Sequence, residues 1–167
     1  MKNILQFLKP KALTAFVNED MTLRQAIEKM RFHGFTAIPV IDSNGHYVKT
    51  LAEGDFMWFM LENDISELGE LSGYCVRDLR ARVICKTVYV DSTIGDLFML
   101  SMNQNFVPVV DDRDVFIGIV TRRDILQACY SALKDSEMFS ELPEYAREEE
   151  FSELSELSEL SDTVGKK

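Results

Sequence analysis

Two heptapeptides decide how this chain is read: Thr36-Ala37-Ile38-Pro39-Val40-Ile41-Asp42 and Asn105-Phe106-Val107-Pro108-Val109-Val110-Asp111. Each is a β-favouring run interrupted by a proline and closed by an aspartate, so each reads as a short strand running into a turn. The echo extends outward from there. Sixteen residues after each proline stands a further aspartate, Asp55 or Asp124, followed by the apolar stretches Phe56-Met57-Trp58 and Ile125-Leu126. Upstream, Thr22-Leu23-Arg24-Gln25-Ala26-Ile27 answers Thr93-Ile94-Gly95-Asp96-Leu97-Phe98, with the register changed by two residues across the helix-to-strand loop. One supersecondary unit is used twice.

Each copy reads as strand, helix, strand, strand, helix, which makes the fold α/β. In the first copy an extended, alternating stretch runs from Ala12 to Val17. Thr22 is then placed as an N-cap, with Gln25 completing a capping box, and Leu23, Ala26, Ile27 and Met30 form one apolar stripe at helical spacing. Gly34 ends that helix in the C-cap role. Asp42-Ser43-Asn44-Gly45 supplies the turn between strands at 36–41 and 47–51, and a helix follows from about Glu53 to Glu62. The second copy places strands at 87–90, 106–110 and 116–121 and helices at about 93–102 and 123–133. Residues 1–68 are read as the first repeat, 69–133 as the second and 134–167 as a tail, with 63–82 as a polar link between the copies. Pro39 and Pro108 interrupt their strands at the same place, which predicts a local sheet edge or a point where a ligand meets the backbone.

Charge and composition narrow the function classes. The formal net charge of the 167 residues is −10. Residues 134–167 hold eleven acidic and four basic side chains, hence −7, which leaves −3 for the remainder. An acidic balance opposes a nucleic-acid footprint, which needs a basic face. The triplet Ser-Glu-Leu recurs three times between Ser152 and Leu160, and its three-residue period holds no lasting stripe on a helix, so the tail is expected to be disordered or loosely helical. No apolar run approaches the ~20 residues of a membrane span, and no signal peptide is recognisable, which predicts a cytoplasmic protein. Cys75, Cys85 and Cys129 are too few and too scattered for a disulfide framework, and His33 and His46 stand apart from them, so neither a metal site nor a nucleophile-base pair is expected. With no glycine-rich phosphate loop either, the sequence reads as non-enzymatic.

The segment Gly118-Ile119-Val120-Thr121-Arg122-Arg123-Asp124-Ile125, together with the apolar-Pro-Val strands and the duplication, resembles the cystathionine-β-synthase (CBS) domain family over about residues 4–133. The resemblance is to stand-alone tandem proteins of the bacterial type. It implies two repeats packed through their sheets about a pseudo-twofold axis, a Bateman module, with clefts that in many relatives bind adenosine-containing nucleotides. It further implies a homodimer made through helices, for which Met57, Trp58, Met60, Cys129 and Leu133 are candidates. On this reading the expected ligand is AMP, ADP, ATP or cyclic di-AMP, acting as a regulator rather than a cofactor and signalling to an unidentified effector protein. The alternative is an interaction module with no physiological nucleotide.

The residues fit that implication at the second copy. Asp124 opens a helix, where its carboxylate is stabilised and placed to accept from the two hydroxyls of a ribose. Thr121 offers a hydroxyl, Arg122 and Arg123 offer charge for a phosphate, and Gly118 stands in the same motif. Asn105, Phe106, Val107 and Pro108 supply backbone groups and an apolar wall for a base, and Thr87 lies at the strand that leads in. The first copy departs from the pattern: Lys49 stands in place of Gly118, Ala52 in place of Thr121, and Glu53 and Gly54 in place of the arginines. A weaker second site is therefore expected there, from Asp55, Thr36, Ala37, Pro39 and Thr14. Lys9, Lys11 and Lys86 sit at the ends of the leading segments and are candidates to line a cleft.

Overall fold

The computed structural model describes residues 4–134. The expected tail lies outside the described residues. The chain divides into two compact units, one ending at Ile125 and the other beginning at Leu126. The packing below is that of the first unit; of the second, the description covers the continuation of one helix.

The elements are β1 (Lys9–Pro10), β2 (Val17–Asn18), α1 (Leu23–His33), β3 (Ala37–Ile41), β4 (Tyr47–Ala52), α2 (Glu53–Glu62), β5 (Val88–Tyr89), α3 (Ile94–Ser101), β6 (Phe106–Val110), β7 (Phe116–Thr121) and α4 (Arg122–Lys134). Short 3-10 turns occupy Ile4–Phe7, Lys11–Leu13, Leu68–Gly73 and Val76–Asp78. One sheet has the order β2-β3-β4, the other β1-β7-β6-β5. In each repeat a two-residue strand pairs parallel to the proline strand, which pairs antiparallel to the next. The two hairpin tips meet, with Phe116 N–H donating to the Gly45 carbonyl at 2.9 Å.

The duplicated prolines fit this topology. β2 pairs only with Val40 and Ile41, and β5 only with Val109 and Val110. Pro39 and Pro108 therefore lie one position outside the parallel ladder, where a missing N–H breaks nothing on that side. The capping box of α1 forms as read, with Gln25 N–H on the Thr22 hydroxyl at 3.2 Å and Thr22 N–H on the Gln25 side-chain oxygen at 3.0 Å. Leu23, Ala26 and Met30 are its buried stripe, and Gly34 closes it at φ +67°.

Two expectations need correction. The stretch from Ala12 to Val17 is not a continuous strand: Lys11–Leu13 is a 3-10 turn and only Val17–Asn18 pairs. The cause is Thr14, whose hydroxyl donates toward the carbonyls of Lys9 (3.1 Å) and Pro10 (3.0 Å) and folds the segment back on itself. Residues 63–82 are more than a polar link, because Ile65, Leu71, Val76 and Leu79 are buried in the core of the first repeat. Backbone bonds from Val76 N–H to Met21 and from Leu23 N–H to Tyr74 sew the segment to α1 and its approach. In α2, the helix that follows β4, Asp55 and Phe56 are buried, while Met57, Trp58 and Leu61 are exposed.

Candidate functional site

The two leading segments cross over. β1 adds to the outer edge of β7, in the other repeat's sheet, with Lys9 opposite Ile119 and Pro10 opposite Gly118. A Cβ on Gly118 would stand 2.2 Å from the Lys9 carbonyl oxygen, so only glycine allows this approach. In the first repeat the equivalent place is Lys49. Its ammonium donates to the carbonyls of Val76 (2.9 Å) and Leu79 (2.5 Å), pinning the segment that leads into the second repeat against β4. Burial holds this ammonium below its ordinary pKa.

This crossing creates a cavity of about 230 Å³ between the repeats. Lys9, Thr14 and Ala15 come from the leading segment, Phe35, Thr36, Ala37 and Pro39 from β3 and its approach, Asn105 and Phe106 from β6, and Ile119 and Thr121 from β7. Sequence reasoning placed seven of these residues in two sites, Asn105, Phe106 and Thr121 in the stronger and Thr14, Thr36, Ala37 and Pro39 in the weaker. The structure brings Asn105, Phe106 and Thr121 together with Thr14, Thr36, Ala37 and Pro39 in a single cavity. The lining sets apolar side chains beside three threonines, a composition suited to a flat ring with a few polar substituents.

The remaining candidates are placed as follows. Thr121 N-caps α4, and Asp124 sits one turn behind it. Its Oδ2 accepts the Thr121 hydroxyl at 2.5 Å, while Asp124 N–H donates to that hydroxyl oxygen at 3.1 Å. Arg122 is latched away from the cavity, its Nε donating to the Gln104 carbonyl at 3.1 Å and its N–H to the Asn105 carbonyl at 2.9 Å. Arg123 is exposed and does not line the cavity. Gly118 serves the close approach of β1. Val107 and Pro108 are buried within β6, and Thr87 lies half-buried just before β5, away from the cavity.

Asp55 opens onto a different cleft, of about 660 Å³, lined also by Trp58, Glu62, Asp78, Arg80, Arg82 and Ile84. Asp55 is 7% exposed and both carboxylate oxygens are engaged, one by Ala52 N–H at 2.8 Å and the other by Arg82 N–H at 3.0 Å. Over the same cleft the Arg82 guanidinium covers the Trp58 ring and ion-pairs with Glu62. Asp55 therefore ties the link to α2.

Sequence reasoning missed two residues that shape this region. Gln104, 6% exposed, bridges strands by accepting Lys86 N–H at 2.8 Å and donating to the Lys86 carbonyl at 3.0 Å. Its partner is eighteen residues away, so no local signal marks it. Lys49 departs from the motif in sequence; its carbonyl partners, Val76, Arg77 and Leu79, come from a segment brought in by the fold.

Family comparison gives the structure its context. The CBS domain model matches residues 12–62 and 76–131, well over half of the chain. The chain belongs to the CBS domain family. A hypothetical conserved protein from Geobacillus kaustophilus matches at 26% identity and TM-score 0.71 over 79% of this chain and 98% of that one. CbpB, solved in complex with c-di-AMP, matches at 23% identity and TM-score 0.70 over 80% of this chain and 88% of that one. CBSX2, solved in complex with AMP, matches at 22% identity and TM-score 0.63 over 79% of this chain and 98% of that one. An uncharacterized 17.7 kDa protein of Acidianus ambivalens is 25% identical over 114 residues, which span 67% of this chain and 65% of that relative. The architecture is thus a CBS pair, and its inter-repeat cavity lies between sheets that the two repeats contribute jointly. Among the described residues no helix is long and apolar enough to cross a membrane, and no cluster of His, Cys, Asp and Glu has the makings of a metal site.

Proposed function

We propose that this CBS pair is a regulatory module that senses an adenosine-containing nucleotide in the inter-repeat cavity and conveys its occupancy to a partner protein. The observation that carries the reading is the joint lining of that cavity: Thr14, Thr36, Ala37 and Pro39 from one repeat face Asn105, Phe106 and Thr121 from the other. Phe106, Ile119, Ala37 and Pro39 form apolar walls for a purine, and the threonine hydroxyls and strand-end backbone groups are its polar contacts. A ribose hydroxyl entering beside Thr121 would share the Asp124 carboxylate that Thr121 now caps. Ligand contacts on both repeats alter how the repeats pack, which is how occupancy becomes a signal. The AMP and c-di-AMP complexes of two structural relatives support an adenine ligand.

Assembly belongs to the same proposal. A groove of about 630 Å³ between α1 and α2, lined by Ile27, Met30, Phe56, Met57, Met60 and Leu61, also carries Arg31 and Glu53. Its apolar lining, with one cation and one anion beside it, suits a twofold contact between two copies of the chain. The three cysteines are free thiols, in keeping with a reducing cytoplasmic setting.

The test is a thermal-shift panel on the full chain with AMP, ADP, ATP, c-di-AMP, GTP and S-adenosylmethionine. A ligand at one hundred times its Kd adds about 2.7 kcal/mol, a readily measured shift. At least one adenine ligand should stabilise the wild type while GTP does not, and Thr121→Val should weaken that binding about tenfold. Silence across the panel would transfer the function to protein interaction alone.

A further inference from the structure

We propose that the outer edge of β4 takes an extended, acidic segment of a partner protein as an added strand. The two sheets differ at this edge. In the second repeat β1 covers the outer side of β7, with Pro10 opposite Gly118 and Lys9 opposite Ile119. Gly118 and Ile119 pair with Val109 and Pro108 across their hairpin, as Lys49 and Thr50 pair with Val40 and Pro39 across theirs. Lys49 and Thr50 are therefore the places where a covering strand belongs on β4, and β4 instead ends its sheet. Among the described residues, the backbone of residues 47–51 bonds to no backbone other than that of β3.

The side chain at the crossing is the cause. Glycine lets a strand lie against β7, whereas Lys49 holds the crossing segment through the carbonyls of Val76 (2.9 Å) and Leu79 (2.5 Å) and not through a ladder. A cavity of about 430 Å³ opens here, lined by Val48, Lys49 and Thr50 of β4 and by most of residues 77–85. Unpaired backbone groups on a sheet edge are a template for a further strand. The surroundings select its chemistry. Val48 and Val83 are exposed, and Ile84 is 85% exposed, so apolar side chains of an incoming strand have contacts to make. Residues 76–86 carry four basic side chains and one acidic, on a chain whose formal net charge is −10. Arg77 pairs with Asp20 and Arg82 with Glu62. Arg80, exposed in the cavity lining, forms no ion pair among the described residues, and Asp78 is the one carboxylate beside it there. A strand that alternates carboxylates with β-branched residues matches this combination. The cavity shares no lining residue with the one between the repeats.

Fluorescence anisotropy on the full chain tests this with labelled peptides: Glu-Val-Glu-Val-Glu-Val, its Lys-Val counterpart, and the acidic peptide methylated at every backbone nitrogen. The acidic peptide should bind, and the other two should bind at least about tenfold more weakly, the worth of a lost charge-assisted or ladder contact. Arg80→Glu and Ile84→Ser should each weaken the acidic peptide about tenfold, with matching melting midpoints to establish that both variants fold. The bound peptide should slow amide exchange at residues 47–51 and leave β7 unchanged. Equal binding of the methylated peptide, an affinity unchanged by either substitution, or no binding at millimolar concentration overturns the added strand. So does sedimentation of the chain with phosphatidylglycerol vesicles, abolished by Arg80→Glu, in the absence of peptide binding; the patch then belongs to a membrane surface.

Discussion

At the scale of single residues, the two hairpin turns show how one side chain organises a loop. Asp42 accepts the backbone N–H groups of Asn44 and His46 at 2.8 Å each and meets His46 Nδ1 at 3.0 Å. The side-chain bond to His46 is the chief cause that draws its carboxyl down from 3.8 to about 2. A carboxylate depressed on folding stabilises the native state above its unfolded pKa, and that contribution is lost as pH falls through the folded value. Asp42→Asn should therefore lower the melting midpoint at pH 7, and the gap to wild type should close as the pH falls from about 4 toward 2. The same turn in the second repeat has Val115 where His46 stands, and Asp111 relies on the N–H groups of Arg113 and Val115 alone. These turns were legible in the sequence because an aspartate that bonds the backbone two residues on acts locally.

At the scale of elements, agreement with the sequence follows how local each element's cause is. α1 appears with its cap, stripe and terminal glycine as read, because all three act within a few residues. The strand expected from Ala12 to Val17 failed because its alternation was overridden by Thr14 and by a distant partner. β1 exists only because β7 presents Gly118 to it, more than a hundred residues downstream. Gly118→Ala should therefore detach β1 from β7. We expect a loss of about 1–3 kcal/mol in urea unfolding, the usual cost of overpacking, and faster amide exchange at β7 than at β4. If exchange at β7 is unchanged, the close approach is not what fixes the strand. Lys49 shows the complementary solution, in which a long cation rather than a missing side chain receives the crossing segment.

At the scale of the whole molecule, the groove between α1 and α2 carries the proposal that two copies pair. Leu61 is 63% and Met57 51% exposed, and both line the groove between α1 and α2. Isolated apolar side chains at a surface are ordinary, but these flank one groove, which is the mark of an interaction site. Leu61→Glu should convert a dimer into a monomer in light scattering at micromolar concentration, with the ligand site intact. If the wild type is already monomeric at that concentration, pairing through this face is excluded as the resting state.

The sequence by itself determined the repeat, the α/β class, the caps and turns, and which residue types were available for a ligand. These follow from periodicity and short-range hydrogen bonding, which a linear chain displays directly. The tertiary structure alone decided how those residues combine. Candidates assigned to two separate clefts meet in one cavity because β1 crosses to the opposite sheet, and Asp55 and Arg122, similar in promise to their neighbours, are engaged by backbone groups from segments far away in sequence. Which polar atoms remain open to a ligand depends on partners that only folding brings within hydrogen-bonding distance.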